Sequence, residues 1–187
     1  MPTLTLRRSL SLFLSLAVVL LIAPLAAAQS KPASSDGHLA EPPALAKFLP
    51  APDGWTRGDI RLNQIDDSGG CNYTVASVVY AKDELRVKIT IADTGGHAES
   101  LMAVASMIAI LPDDYTDTVP PATTIKRMKI DQSPASEIWN AAKMTGEITV
   151  LVSSRYVVAI EAQKGDTLET LRAMLTLVDT KALAAVK

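Results

Sequence analysis

The segment from Leu85 to Ala92 alternates strictly. Arg86, Lys88 and Thr90 point one way, and Val87, Ile89 and Ile91 the other. A period of two with one apolar side is the pattern of a β-strand with one wet face. Cys71 to Tyr80, just ahead of it, is also β-rich, and Ala81-Lys82-Asp83-Glu84 supplies a turn, so the two runs form an antiparallel hairpin. Asp93-Thr94-Gly95-Gly96 ends the second strand and starts a helix from His97 to Leu111, which Pro112 and Asp113-Asp114 stop. Whatever fold the chain adopts must seat this strand-strand-helix unit and cover its apolar side.

A second unit of the same kind follows Pro120-Pro121. Thr124 to Ile130 and Ala135 to Met144 are two strands broken by Gln132-Ser133-Pro134, and Gly146 turns the chain into Glu147 to Ser153. Both sides of Ile148 to Val152 are largely apolar, which places that strand centrally in a sheet. Ser154-Arg155 is a tight turn before the last strand, Tyr156 to Gln163. A helix then runs from Thr167 to about Val178. Asp166 and Glu169 have a capping spacing, and Leu168, Leu171, Leu175 and Val178 bury one face. Asp179 to Val186 adds a short terminal helix. Val75 to Leu111 parallels Glu147 to Val178 in order. The expected architecture is α+β: an antiparallel sheet of about six strands with two main helices packed on one face, built as two strand-strand-helix halves.

The first 28 residues have the pattern of an export signal. Arg7 and Arg8 form a positive start, Leu10 to Ala23 is a Leu-rich run, and Ala26-Ala27-Ala28 is a small-residue cleavage site before Gln29. Residues 29–43, rich in Ser, Ala and Pro, are expected to be a flexible tether to a single domain at 44–187. Ala44 to Leu49 forms one helical turn, stopped by Pro50 and Pro52. Cleavage removes both arginines and takes the net charge of −2 to −4. A mildly acidic chain is not drawn to nucleic acid or anionic lipid. The expected location is a bacterial periplasm or the exterior, with no stable membrane anchor after cleavage.

Composition narrows the chemistry. Aromatics make up 4% of the chain, too few for a base-stacking platform, and a single Cys excludes an internal disulfide or a Cys-built zinc site. Nucleotide-binding glycine patterns, the Gly-x-Ser-x-Gly elbow and His-Glu-x-x-His are missing from the sequence. No catalytic residue, metal ligand or cofactor is therefore assigned. His97 beside Glu99, and Cys71, are the only candidates for acid-base or thiol chemistry. Asp113-Asp114 with Asp117, and Asp66-Asp67, lack calcium-loop spacing and read as solvated loops. Lys126-Arg127 and Lys129 read as edge-strand protection. Glu161, in an apolar strand, faces water or pairs with a Lys.

The opening Leu49-Pro50-Ala51-Pro52-Asp53-Gly54-Trp55 resembles the start of small exported bacterial domains of unknown function, and more distantly that of the PsbP-like sandwich. The likeness would span about Leu45 to Leu183. It implies a hairpin, helix, sheet and C-terminal helix in that order, brings no catalytic residues, and favours an accessory or binding role. The expected function is a non-enzymatic periplasmic accessory protein that binds a protein partner. The alternative is a carrier or sensor of a small apolar ligand held between sheet and helices. The helix His97–Leu111 is apolar nearly all round, so the candidate surface is Leu101, Met102, Met107 and Ile108, joined by Trp55 and Trp139.

Overall fold

The computed structural model describes residues 38–66, 70–120, 122–164 and 167–186. The export signal, residues 29–37 of the tether, Asp67 and the Asp166 cap lie outside the described residues. In chain order the elements are α1 (Pro42–Ala46), β1 (Thr56–Arg57), β2 (Arg61–Ile65), β3 (Tyr73–Lys82), β4 (Leu85–Asp93), α2 (Ala98–Ile110), β5 (Thr116–Val119) and β6 (Thr123–Ile130). They continue with β7 (Ser133–Asn140), β8 (Thr145–Val152), β9 (Tyr156–Lys164), α3 (Leu168–Thr176) and α4 (Thr180–Ala184).

Among the described residues the strands form one nine-stranded antiparallel sheet, ordered β1-β3-β4-β9-β8-β7-β6-β5, with β2 also on the outer edge of β3. The fold is α+β, as expected, but the sheet is larger than the six strands anticipated. The strands missed are β1, β2 and β5, short edge strands whose residues are nearly all exposed. They carry no buried face, so no alternation marks them. β5 also covers β6, so the basic run Lys126–Lys129 is not an edge. Arg127 and Lys129 instead pair with Asp113 at 3.3 and 3.6 Å, so that acidic loop is partly neutralised rather than only solvated.

Strand alternation carries through the register. One face carries Ala76, Val78 and Tyr80, then Val87, Ile89 and Ile91, then Val158 and Ile160, then Ile148 and Val150, all essentially buried. Leu45 of α1, Leu171, Met174 and Leu175 of α3, and Leu183 of α4 pack into this core. The opposite face has a smaller core of Ala92, Leu151 and Val157, and α2 covers it with Val104, Ala105 and Ile108. The helices therefore lie on both faces, not on one. The order strand, strand, helix does recur in β3–β4–α2 and β8–β9–α3, but the two helices part to opposite sides. Gly95 and Gly96, at φ +61° and +75°, turn the chain out of β4 toward the second face. Arg155, by contrast, leads straight back into β9, and α3 follows β9 onto the first.

α3 begins at Thr167, whose hydroxyl accepts the Thr170 amide at 3.3 Å, and α4 begins at Asp179, which accepts the Ala182 amide at 2.9 Å.

The domain reaches back into the stretch read as tether. The Ala40 amide donates to Asp93 Oδ2 at 2.7 Å, and its carbonyl accepts the Thr74 hydroxyl at 2.8 Å. Asp93 is fully buried, and Arg155 grips it through Nε and Nη2 at 2.8 and 2.7 Å. Gly95 N–H adds a bond of 2.9 Å to Oδ1, so both carboxylate oxygens are doubly satisfied. Arg155 also donates to the His38 carbonyl at 2.9 Å, which ties the start of the described chain to the sheet. The carboxylate holds the Arg155 guanidinium even further above its ordinary high range.

Two buried tyrosines fasten the chain at either end of the domain. Tyr80 donates to the Pro50 carbonyl at 2.6 Å and Tyr156 to the Val186 carbonyl at 3.0 Å. Burial raises both phenols above the ordinary value. Arg57 pulls Tyr80 part of the way back, and Asp93 pushes Tyr156 further up. The fold keeps both phenols neutral while the unfolded chain ionises near pH 10. Their contribution is fully present below about pH 10 and is lost as pH rises from there through the folded-state values. Urea midpoints should fall above about pH 10, and Tyr80→Phe should shallow that fall. An unchanged slope in the variant would remove Tyr80 from the account.

Candidate functional site

α3 makes its main contacts with β8 and β9 rather than with the strands beyond them. The sheet thus extends beyond its helical cover. The overhang leaves a cleft of about 380 Å³ between the sheet and the α3–α4 segment. Its floor is Met128 and Ile130 of β6 with Ile148 and Val150 of β8, and its wall is Leu175 and Val178. The volume lies within the range of about 300–1,000 Å³ usual for small-molecule sites, and the lining is mainly apolar with a few polar groups, as such sites have.

The polar groups fall at two places. Asp131 sits in the β6–β7 turn with a φ of +49°, and Thr176 and Thr180 line the cleft from the helical side. Glu137 projects from β7 on the same face as Ala135, and is 6% exposed. Arg172 of α3 reaches down to it. Nε lies 3.1 Å from Oε2, and Nη2 lies 3.0 and 2.9 Å from Oε1 and Oε2. The pair joins helix to sheet across the cleft, with the carboxylate buried and the guanidinium side chain 49% exposed. Desolvation makes such a carboxylate unfavourable without its partner.

The candidate surface chosen from sequence is dispersed. Ile108 is buried beneath α2, and Leu101 is partly buried against the same small core. Met102 is 43% exposed, and Met107 is half-buried. Trp55 and Trp139 pack against the main core on the first face. The six residues thus divide between opposite faces of the sheet. Glu161 pairs with Lys88 at 3.6 Å on a wet part of the second face. His97 occupies the cap position of α2 with an exposed side chain. Cys71 precedes β3, and the Ser100 hydroxyl donates to the neighbouring Asn72 carbonyl at 2.8 Å. Among the described residues no three of His, Cys, Asp and Glu gather as a metal-holding group, and no helix is long and apolar enough to cross a membrane.

Glu137 and Arg172 were not singled out from sequence. The run Ala135-Ser136-Glu137-Ile138-Trp139 gives no clean alternation, so the face of Glu137 is ambiguous from sequence alone. Arg172 does follow from helical spacing, since it directly follows the buried Leu171 and flanks the apolar stripe.

Comparison with known proteins leaves this geometry to stand on its own: no family model, no curated protein and no solved structure matches the chain.

Proposed function

We propose that this domain is a non-enzymatic carrier or sensor of a small apolar ligand, held between the sheet and α3–α4. The observation that carries this reading is the apolar cleft of about 380 Å³ at the overhanging side of the sheet. Apolar surface left in a concave site gains from transferring a ligand's apolar surface out of water, at about 25 cal/mol per Å². A neutral apolar dye such as N-phenyl-1-naphthylamine should bind at one equivalent and brighten. Thr176 is exposed at the mouth, so Thr176→Trp fills the entrance without disturbing the core. It should weaken dye binding by about tenfold or more while the melting temperature stays within roughly 2 °C, since surface changes usually shift stability little. Unaltered dye affinity in this variant would remove the cleft from the proposal.

A second reading is supported by α2. Met102 and Ile110 are 43% and 61% exposed, one on each side of a kink at Ala105, with Ala103 and Ser106 also exposed. These exposed apolar side chains fit a protein partner, and Met is adaptable in such contacts. A photo-crosslinker at Met102 should yield one discrete adduct in cells of the exporting compartment, and Ile110→Glu should abolish it. A diffuse smear of adducts, unchanged by Ile110→Glu, would count against this surface.

A further inference from the structure

The Glu137–Arg172 pair engages Nε and Nη2 of the guanidinium, Nη2 with both carboxylate oxygens, and leaves Nη1 out of it. Glu137 takes the side-on edge, Nε and Nη2, at 2.9 to 3.1 Å. Nη1, on the side of the planar group opposite the Nε–H, is directed away from that carboxylate. Arg172 lines the cleft and its side chain is 49% exposed, so the free edge is open to an incoming group. The buried carboxylate fixes the guanidinium in place before any ligand arrives, which lowers the ordering cost of binding.

We infer that the cleft takes an amphiphile with a single carboxylate head, which docks on Nη1 of Arg172 while its chain lies over Met128 and Ile130. This rests on the apolar-ligand reading and names the ligand class. The cleft also explains why there is one head and not two. Asp131 lies in the turn five residues beyond Lys126, the residue opposite Glu137, about 17 Å away at strand rise. An anion at that end would meet a like charge, whereas an apolar chain end meets none.

The test compares decanoate, decanol and decylammonium, each below its aggregation concentration, by calorimetry and dye displacement on the full chain. Decanoate should bind about 10- to 100-fold more tightly than decanol, the range of a charge-assisted pair of hydrogen bonds. In the Glu137→Gln/Arg172→Gln double variant the decanoate-to-decanol ratio should fall to near one, and circular dichroism with a thermal melt establishes that it is folded. Equal affinities in the wild-type chain, or tighter binding of decylammonium, would overturn the carboxylate assignment. If Thr176→Trp still abolished decanol binding in that case, the apolar cleft would stand. Binding of none of the three would overturn both.

Discussion

Arg155→Ala should destabilise the domain by about 3–5 kcal/mol, the cost of stripping the partner from a buried charge. Asp93 is fully buried and Arg155 supplies two of its four hydrogen bonds, with Ala40 and Gly95 supplying the others. The Arg155 side chain is only 14% exposed, so water cannot readily replace it. Left with two backbone donors, the buried carboxylate would lose half of the hydrogen bonds that offset its desolvation. Urea unfolding at pH 7.5 measures the size of the loss. The loss should also resist salt, because the pair is shielded from solvent ions. Since Arg155 and Asp93 hold His38 and Ala40, proteolysis should first cut the variant near residues 38–49. A deficit below about 1 kcal/mol would mean that the pair is weakly coupled to folding, as exposed ion pairs are.

That node shows where sequence reasoning reaches and where it stops. The hairpin β3–β4 was legible because Val87, Ile89 and Ile91 alternate with polar residues, and those three are fully buried. β8 was legible as central because both its sides are apolar, and Ile148 to Val152 are all buried. The same apolar run also held the information that the sheet is covered on both faces. Leu151, on the second face, needs a helix of its own, and α2 is that helix. Asp93 looked like a loop residue ending a strand. Its burial depends on Arg155, 62 residues away, and no local pattern encodes such a pair. The cleft escaped for the same reason: it arises from the sheet running past α3, which is a property of strand count and order. Its floor strands, β6 and β8, were both legible, but not which part of the sheet α3 would cover. Glu137 and Arg172 meet only once β7 and α3 are placed on the same side.

Gly146 carries the second large effect, and its role in the structure differs from the one its sequence suggests. In the sequence it looks like a turn glycine. The turn is in fact made by residues 141–144, with Met144 at φ +52°, and Gly146 lies inside β8 opposite Trp139. What it provides is space. A Cβ there would meet the Ile138 carbonyl oxygen at 2.2 Å and Trp139 Cε3 at 2.7 Å. The first of these is backbone and cannot swing aside, so the β7–β8 ladder must shift, and a glycine inside a strand often marks such a close approach. Gly146→Ala should therefore cost about 3 kcal/mol, the upper part of the overpacking range, and lower the melting temperature by roughly 6–12 °C. Gly146→Asn separates the two explanations. A turn glycine needing positive φ tolerates Asn better than Ala, because Asn visits the left-handed region more readily. A glycine needed for space ranks them the other way, with Asn the worse. Trp139→Leu in the Gly146→Ala background should recover only part of the loss, since it clears the ring but not the carbonyl. The strain would also reach the cleft, because Glu137 is two residues from Trp139 on the same strand and face. Dye binding should then weaken together with stability in Gly146→Ala, whereas Thr176→Trp is expected to weaken binding alone.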